Sequence, residues 1–260
     1  MKPNKNNIPG IHNYCDRWCE RCTFTSRCAV FESTSKLSSE QLDSENKEFW
    51  DNLSFNFTEV VDVLKKAAEK YGIDFNEVLN KETTEEEEKK RLEKDDYAKN
   101  HPITKLCREY SKLCRAFLKD QTDFTEKVRE LVSQGHLGIK SEEQIILTTI
   151  EISDAYEVVQ WYMFFIEMKI QRALRGKLED AEEEEESEFL KDSDGSAKIA
   201  LIAIEKSMAA FAKLHTYFPE QEDNILQALS TLQQLKRNTE TEFPNAYAFV
   251  RPGFDTINKS

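Results

Sequence analysis

From Glu142 to Arg175 the chain contains neither glycine nor proline, and its apolar residues are spread around most of a helical circumference. A helix of that span is about 50 Å long at 1.5 Å per residue. One that is apolar nearly all round has to be covered on several sides, so it must be central to whatever forms. Ser141-Glu142-Glu143-Gln144 supplies a capping box at its start, and Gly176 reads as its stop. A chain organised around such a rod has little use for a many-stranded sheet.

The rest of the sequence agrees. Only 7 glycines and 6 prolines occur in 260 residues, too few turn-formers for a fold of many short strands. Helical periodicity predicts an amphipathic helix from about Asp43 to Tyr71, with Phe49, Trp50, Leu53, Phe57, Val60, Val61, Leu64, Ala67 and Ala68 facing inward and Gly72 as the stop. It predicts further helices over Ile103–Lys119, Phe124–Ser133 (closed by Gly135), Ala197–Tyr217 and Glu222–Asn238, the last two separated by Pro219. The charge-dense Glu82–Asp96 stretch reads as a solvated helix or connection, and the acidic run Glu182–Glu186 as an exposed helix end or loop. Asp192-Ser193-Asp194-Gly195 opens like a calcium loop, but the later ligand positions are out of register, so it reads as a turn and N-cap. The expected fold is an all-α, multi-helix bundle over residues 37–260, with an extended C-terminal strap from Phe243 to Phe254. Residues 1–36 are expected to form a small cysteine-rich, metal- or cluster-binding knuckle ahead of it.

That knuckle is predicted from Cys15, Cys19, Cys22 and Cys28, which fall within fourteen residues while the rest of the chain holds only Cys107 and Cys114. At about 100° per residue, the first three would share one face of a short helix, and Thr23-Phe24-Thr25-Ser26 would return Cys28 to them. Four thiolates converging from one segment suit tetrahedral zinc or an iron–sulfur cluster. Structural zinc sites usually use two cysteine pairs separated by a dozen or more residues, a pattern absent here, so a 4Fe–4S cluster is slightly favoured over Zn. Tyr14, Trp18 and Phe24 would shield the site, and Arg17, Arg21 and Arg27 would offset thiolate charge. His12 is a further potential ligand that reads better as a surface histidine.

The segment Cys19-x2-Cys22-x5-Cys28 resembles part of the 4Fe–4S loop of the endonuclease III family of DNA glycosylases and is similar to the auxiliary-cluster motif of SPASM-type radical enzymes. It departs from the glycosylase loop at the first ligand, where Cys15 follows a shorter spacer, and no helix–hairpin–helix glycines accompany it. What the resemblance implies is 4Fe–4S ligation by these cysteines. Cys15-x3-Cys19-x2-Cys22 also has the count of the radical SAM signature, but Arg21 stands where that family carries an aromatic, and the chain does not encode its β/α barrel. The string from Asn13 to Cys22, NYCDRWCERC, resembles the opening of a family of uncharacterised bacterial helical proteins. That resemblance implies a helical fold and no activity.

Cys107 and Cys114 share an apolar helix face with Tyr110 and Phe117, the pattern of buried structural thiols. Glu151, Asp154, Glu157 and Glu167 lie along the central helix, with Glu205 and His215 on a later one. Carboxylates in a bundle suggest a ferritin-like di-metal site, but no Glu-x-x-His pair is present. The simpler expectation places them at an exposed edge, or in ion pairs with Lys169 and Arg172.

A formal charge of −13 argues against nucleic acid as a partner. The polar start Lys2–Asn7 is unlike a secretory signal, and the apolar run Trp161–Ile166 is far too short to cross a bilayer. A cytoplasmic protein without a membrane role is expected, and in that compartment clustered cysteines point to metal rather than disulfides. The reading is a metal- or iron–sulfur-binding helical protein acting as a structural or interaction module with protein partners. The alternative is an oxidoreductase using a 4Fe–4S cluster with a carboxylate site around Glu151, Asp154, Glu157, Glu205 and His215. No motif assigns an enzyme class.

Overall fold

A computed structural model describes residues 4–75, 84–119, 122–182 and 191–255. The described residues contain no β-strand. Their helices are α1 (Ala29–Thr34), α2 (Ser39–Leu42), α3 (Lys47–Tyr71), α4 (Glu85–Asn100), α5 (Pro102–Lys119), α6 (Thr122–His136), α7 (Glu142–Glu182), α8 (Asp192–Tyr217) and α9 (Glu222–Glu242), with short 3-10 turns between some of them. The chain divides into two compact units. One holds Met1–Asn13 and Arg17–Leu92, and the other holds Tyr14–Asp16 and Glu93–Ser260.

The second unit is built on four helices packed in the cyclic order α5, α7, α8, α9, with α6 against α7. The sequence periodicity explains the closure. Cys107, Tyr110, Cys114 and Phe117 recur at helical spacing and are the buried face of α5, while Ile152, Val159, Tyr162, Ile166 and Ile170 bury the middle of α7. Each such large apolar side chain removed from water contributes about 1.5–3 kcal/mol. Tyr156 stacks on Phe117 and meets the edges of Phe124 and Phe218, joining α5, α6, α7 and the chain after α8 in one aromatic cluster.

Three boundaries differ from the sequence expectation for one reason: neighbouring elements claim the residues. α7 does not stop at Gly176 but runs through it to Glu182. A Cβ at position 176 would lie 3.4 Å from that of Ser193, so this glycine serves the close approach of α7 and α8. α8 begins at Asp192 rather than Ala197, with Lys191 at the N-cap. The Asp192-Ser193-Asp194-Gly195 stretch expected to form a turn and N-cap lies inside the first turn of the helix, where Arg172 engages the Asp192 carboxylate at 2.9 Å. α6 likewise passes Gly135 and ends at His136. The charge-dense stretch forms α4 from Glu85 onward, while residues 82–83, and 183–186 of the acidic run, lie outside the described residues.

The tail after α9 includes a 3-10 turn over Ala246–Ala248, with Phe243, Ala246 and Phe249 buried. Lys198 holds this tail by donating to the Phe249 carbonyl and pairing with Asp255 at 2.8 Å.

In the first unit, α2 opens with a reciprocal capping box between Ser38 and Gln41. α3 starts at Lys47, four residues later than expected, because the Asn46 side chain caps it by accepting from the Glu48 N–H at 3.1 Å. It ends at Gly72 in the left-handed conformation, as its sequence signals. Its apolar face, expected to point inward, is not buried: Trp50 is 57% exposed and Phe57 64%. No described helix is long and apolar enough to cross a membrane.

Candidate metal-binding segment

The four clustered cysteines do not share one helix. Ile11–Tyr14 is a 3-10 turn that ends just before Cys15. Arg17 then adopts φ = 60°, the left-handed region that L residues occupy only at a cost. That reversal separates Cys15 from Cys19, which begins a second 3-10 turn, Cys19–Arg21, closed by Cys22. A third turn, Thr25–Arg27, leads to Cys28, which stands in extended conformation at the start of α1. The expectation of a common helical face for Cys15, Cys19 and Cys22 is therefore replaced by a succession of turns. All four thiols are partly exposed.

Local bonds hold the segment that carries Cys19, Cys22 and Cys28. Ile8 N–H donates to the Arg27 carbonyl at 3.0 Å, and Arg27 Nε to the Asn6 carbonyl at 3.2 Å. Asn7 reaches Glu32 at 3.2 Å. The Phe24 N–H lies 3.4 Å from Cys22 Sγ and donates to it. Arg21 stacks its guanidinium 3.9 Å over the Trp18 ring, a cation–π contact that fixes both side chains.

Cys15 is held differently. Its two neighbours are both tied to the four-helix unit. The Tyr14 ring lies 4.6 Å from that of Phe249, and its hydroxyl donates to Asp192 at 2.7 Å. Burial and then that hydrogen bond push the Tyr14 phenol up to about 12. On the other side, Asp16 accepts from the Tyr162 hydroxyl at 2.7 Å and pairs with Lys206 at 2.9 Å, while Trp161 Nε1 donates to its carbonyl at 3.0 Å. This Asp16 anchor is the feature that sequence reasoning missed. Its partners lie far along the chain, and no local pattern marks them.

Cys107 and Cys114 are fully buried, as their apolar face predicts. Burial pushes both thiols up, that of Cys114 to about 12, so neither is a ready nucleophile.

The carboxylates singled out for a di-metal site are dispersed. Glu151, Asp154, Glu157 and Glu205 are exposed. Glu151 accepts from Tyr217, and Glu205 pairs with Lys236 at 2.8 Å and accepts from Tyr247 at 2.9 Å. Partial burial alone would raise the Glu205 carboxyl, but the Lys236 and Tyr247 hydrogen bonds outweigh it and hold the group below its ordinary range. His215 faces Glu222 at 3.4 Å. Glu167 pairs with Arg108 at 2.8 Å rather than with Lys169 or Arg172. Among the described residues, no group of three or more His, Cys, Asp or Glu side chains is arranged to hold a metal ion.

These features define an all-helical protein with a four-helix core, onto which a cysteine-bearing tripeptide is fastened. No family model, curated protein or solved structure matches the chain.

Proposed function

We propose that Cys15, Cys19, Cys22 and Cys28 bind a metal centre, a 4Fe–4S cluster in preference to zinc, and that the segment serves as a structural or interaction module. The observation that carries this reading is four partly exposed thiols within fourteen residues, in a segment ordered by turns with hardly a buried side chain. Small segments with so little core are commonly held by metal, because ligation supplies folding free energy that burial does not. The Phe24 N–H bond to Cys22 Sγ is of the kind that sulfur ligands of a metal accept from their surroundings. Arg17, Arg21 and Arg27 would offset the charge of several thiolates. A bound cluster would supply either a rigid crosslink or an electron-transfer centre, and zinc a crosslink alone. The turn geometry brings no three of these ligands together by itself, so this reading has metal binding reorganise the segment.

Anaerobic purification with elemental analysis and a visible spectrum tests it. Iron with sulfide and broad absorbance near about 400 nm identifies a cluster, and one equivalent of zinc in colourless protein identifies a zinc site. Cys→Ser at positions 15, 19, 22 and 28 should lower the metal content, and metal should protect these four thiols from alkylation while Cys107 and Cys114 react only on unfolding. Metal-free protein, or metal retained in all four variants, overturns the proposal.

A further inference from the structure

A segment from each half of the chain docks on the first turns of α8, and the two share one slot. Gly195 is buried there. A Cβ at that position would collide with the Tyr14 ring and come within 2.7 Å of the Phe249 ring. The two rings also lie against each other, 4.6 Å apart and tilted by 58°. Phe249 is 4% exposed and Tyr14 is half-buried. Each ring is a wall of the other's site, so removing either opens a face on its neighbour and forfeits the contacts made there.

One cation keeps the tail in that place. Lys198, one turn along α8 from Gly195, donates to the carbonyls of Tyr247 and Phe249 and pairs with Asp255 at 2.8 Å. Its side chain is only 13% exposed, which spares the pair much of the screening that weakens surface ion pairs. Arg251 fixes Asp255 from within the tail, at 2.9 Å. Cys15 follows Tyr14 directly, and beyond it Asp16 is held by Tyr162 and Lys206, neither of them a tail residue. The contacts therefore run from Lys198 to Phe249, to Tyr14 and so to Cys15. We propose that the C-terminal strap is a latch on Cys15. Docked, Phe249 closes the slot on Tyr14 and keeps the thiol held at the four-helix unit. Lifted, the tail takes away one wall of that slot and opens Cys15 to ligands and thiol reagents. The coupling is reciprocal, so freeing Tyr14 loosens the tail by the same factor. The inference concerns the hold on Cys15 and stands whether or not the four thiols bind metal.

Alkylation of the full chain with iodoacetamide, resolved by mass spectrometry, tests it. The quantity read is the rate at Cys15 divided by the rate at Cys28 in the same molecules. Phe249→Ala should raise this ratio about fivefold, the worth of one aromatic contact, and Tyr14→Ala by a similar factor. The two together should do no more than either alone, since they open the same slot. Asp16→Ala, on the other side of Cys15, should raise the ratio independently and multiply with Phe249→Ala. Cys107 and Cys114 report the fold and should stay unreactive throughout. Lys198→Met keeps the length of the side chain and removes the charge that holds the tail. It should also raise the ratio, and it decides the matter where Phe249→Ala unfolds the unit. In Tyr14→Ala, amide hydrogen exchange over residues 246–254 should speed up by a like factor. A ratio unchanged by Lys198→Met and Phe249→Ala overturns the proposal. So do multiplying effects of Phe249→Ala and Tyr14→Ala, or tail exchange indifferent to Tyr14→Ala. Metal-free protein overturns the proposed function alone and leaves this ratio to be read as before.

Discussion

The Asp16 carboxylate accepts a 2.7 Å hydrogen bond from the hydroxyl of Tyr162, a residue that is 1% exposed in the middle of α7. Lys206 completes the group, 2.9 Å from Asp16 and 3.0 Å from the Tyr162 oxygen. A buried hydroxyl that loses its acceptor costs more than the bond was worth, because water does not replace the partner. Asp16→Ala should therefore destabilise the protein by about 1–2 kcal/mol and Tyr162→Phe by about 1 kcal/mol. Because the two groups satisfy each other, the double variant should cost about 1 kcal/mol less than the sum. Urea unfolding of the four proteins checks this, and additive losses would show that the bond is not made in solution.

Gly195 provides the slot into which Tyr14 fits. A Cβ there would collide with the Tyr14 ring and come within 2.7 Å of the Phe249 ring. Gly195→Ala should cost about 1–3 kcal/mol, the usual range for overpacking, even though alanine favours a helix more than glycine does. In the Gly195→Ala background, Tyr14→Ala should cost less than it does in the parent, since part of its contact is already lost. Thermal unfolding of the pair of variants measures the difference, and an unchanged cost would place Tyr14 elsewhere.

Acid should loosen the tail through Asp255. Partial burial alone would raise this carboxyl, but hydrogen bonds from Arg251 and Lys198 outweigh it and hold the group far below the usual carboxylate range. A carboxyl with a depressed folded-state value binds protons less readily folded than unfolded. Its stabilisation is therefore complete above the unfolded value, about 3.9, and is lost as pH falls through the lower folded value. Asp255→Asn should lower stability at neutral pH and flatten its fall between about pH 4 and pH 2. Denaturant titrations at several acidic pH values read the slope, and parallel profiles for the two proteins would refute the assignment.

Much of the architecture was legible along the chain. The apolar run after Ser141, the helical spacing of Cys107, Tyr110, Cys114 and Phe117, and Gly72 after Tyr71 all mark what they were read to mark. Gly176 misled because a glycine at the edge of a periodic run looks the same whether it ends a helix or admits a neighbour. The cysteine spacing fits a helical face, yet the left-handed Arg17 breaks that face between Cys15 and Cys19. For α3 the periodicity gave the helix correctly but not what lies against it, since amphipathicity is the same signal for an internal core and an external partner.

What the sequence determined by itself is local: which stretches are helical, which face of each is apolar, and that four thiols lie close together along the chain. Those properties follow from spacing and from near-neighbour chemistry. Only the tertiary structure decided which helices close on one another and that Tyr14 and Asp16 are fastened to α7 and α8. It also decided that Glu151, Glu167 and Glu205 are spent on lysines, arginines and tyrosines. Asp16 and Lys206 stand 190 residues apart, and no pattern within either neighbourhood encodes the other. Their meeting is a consequence of the burial that folds α7 and α8 together.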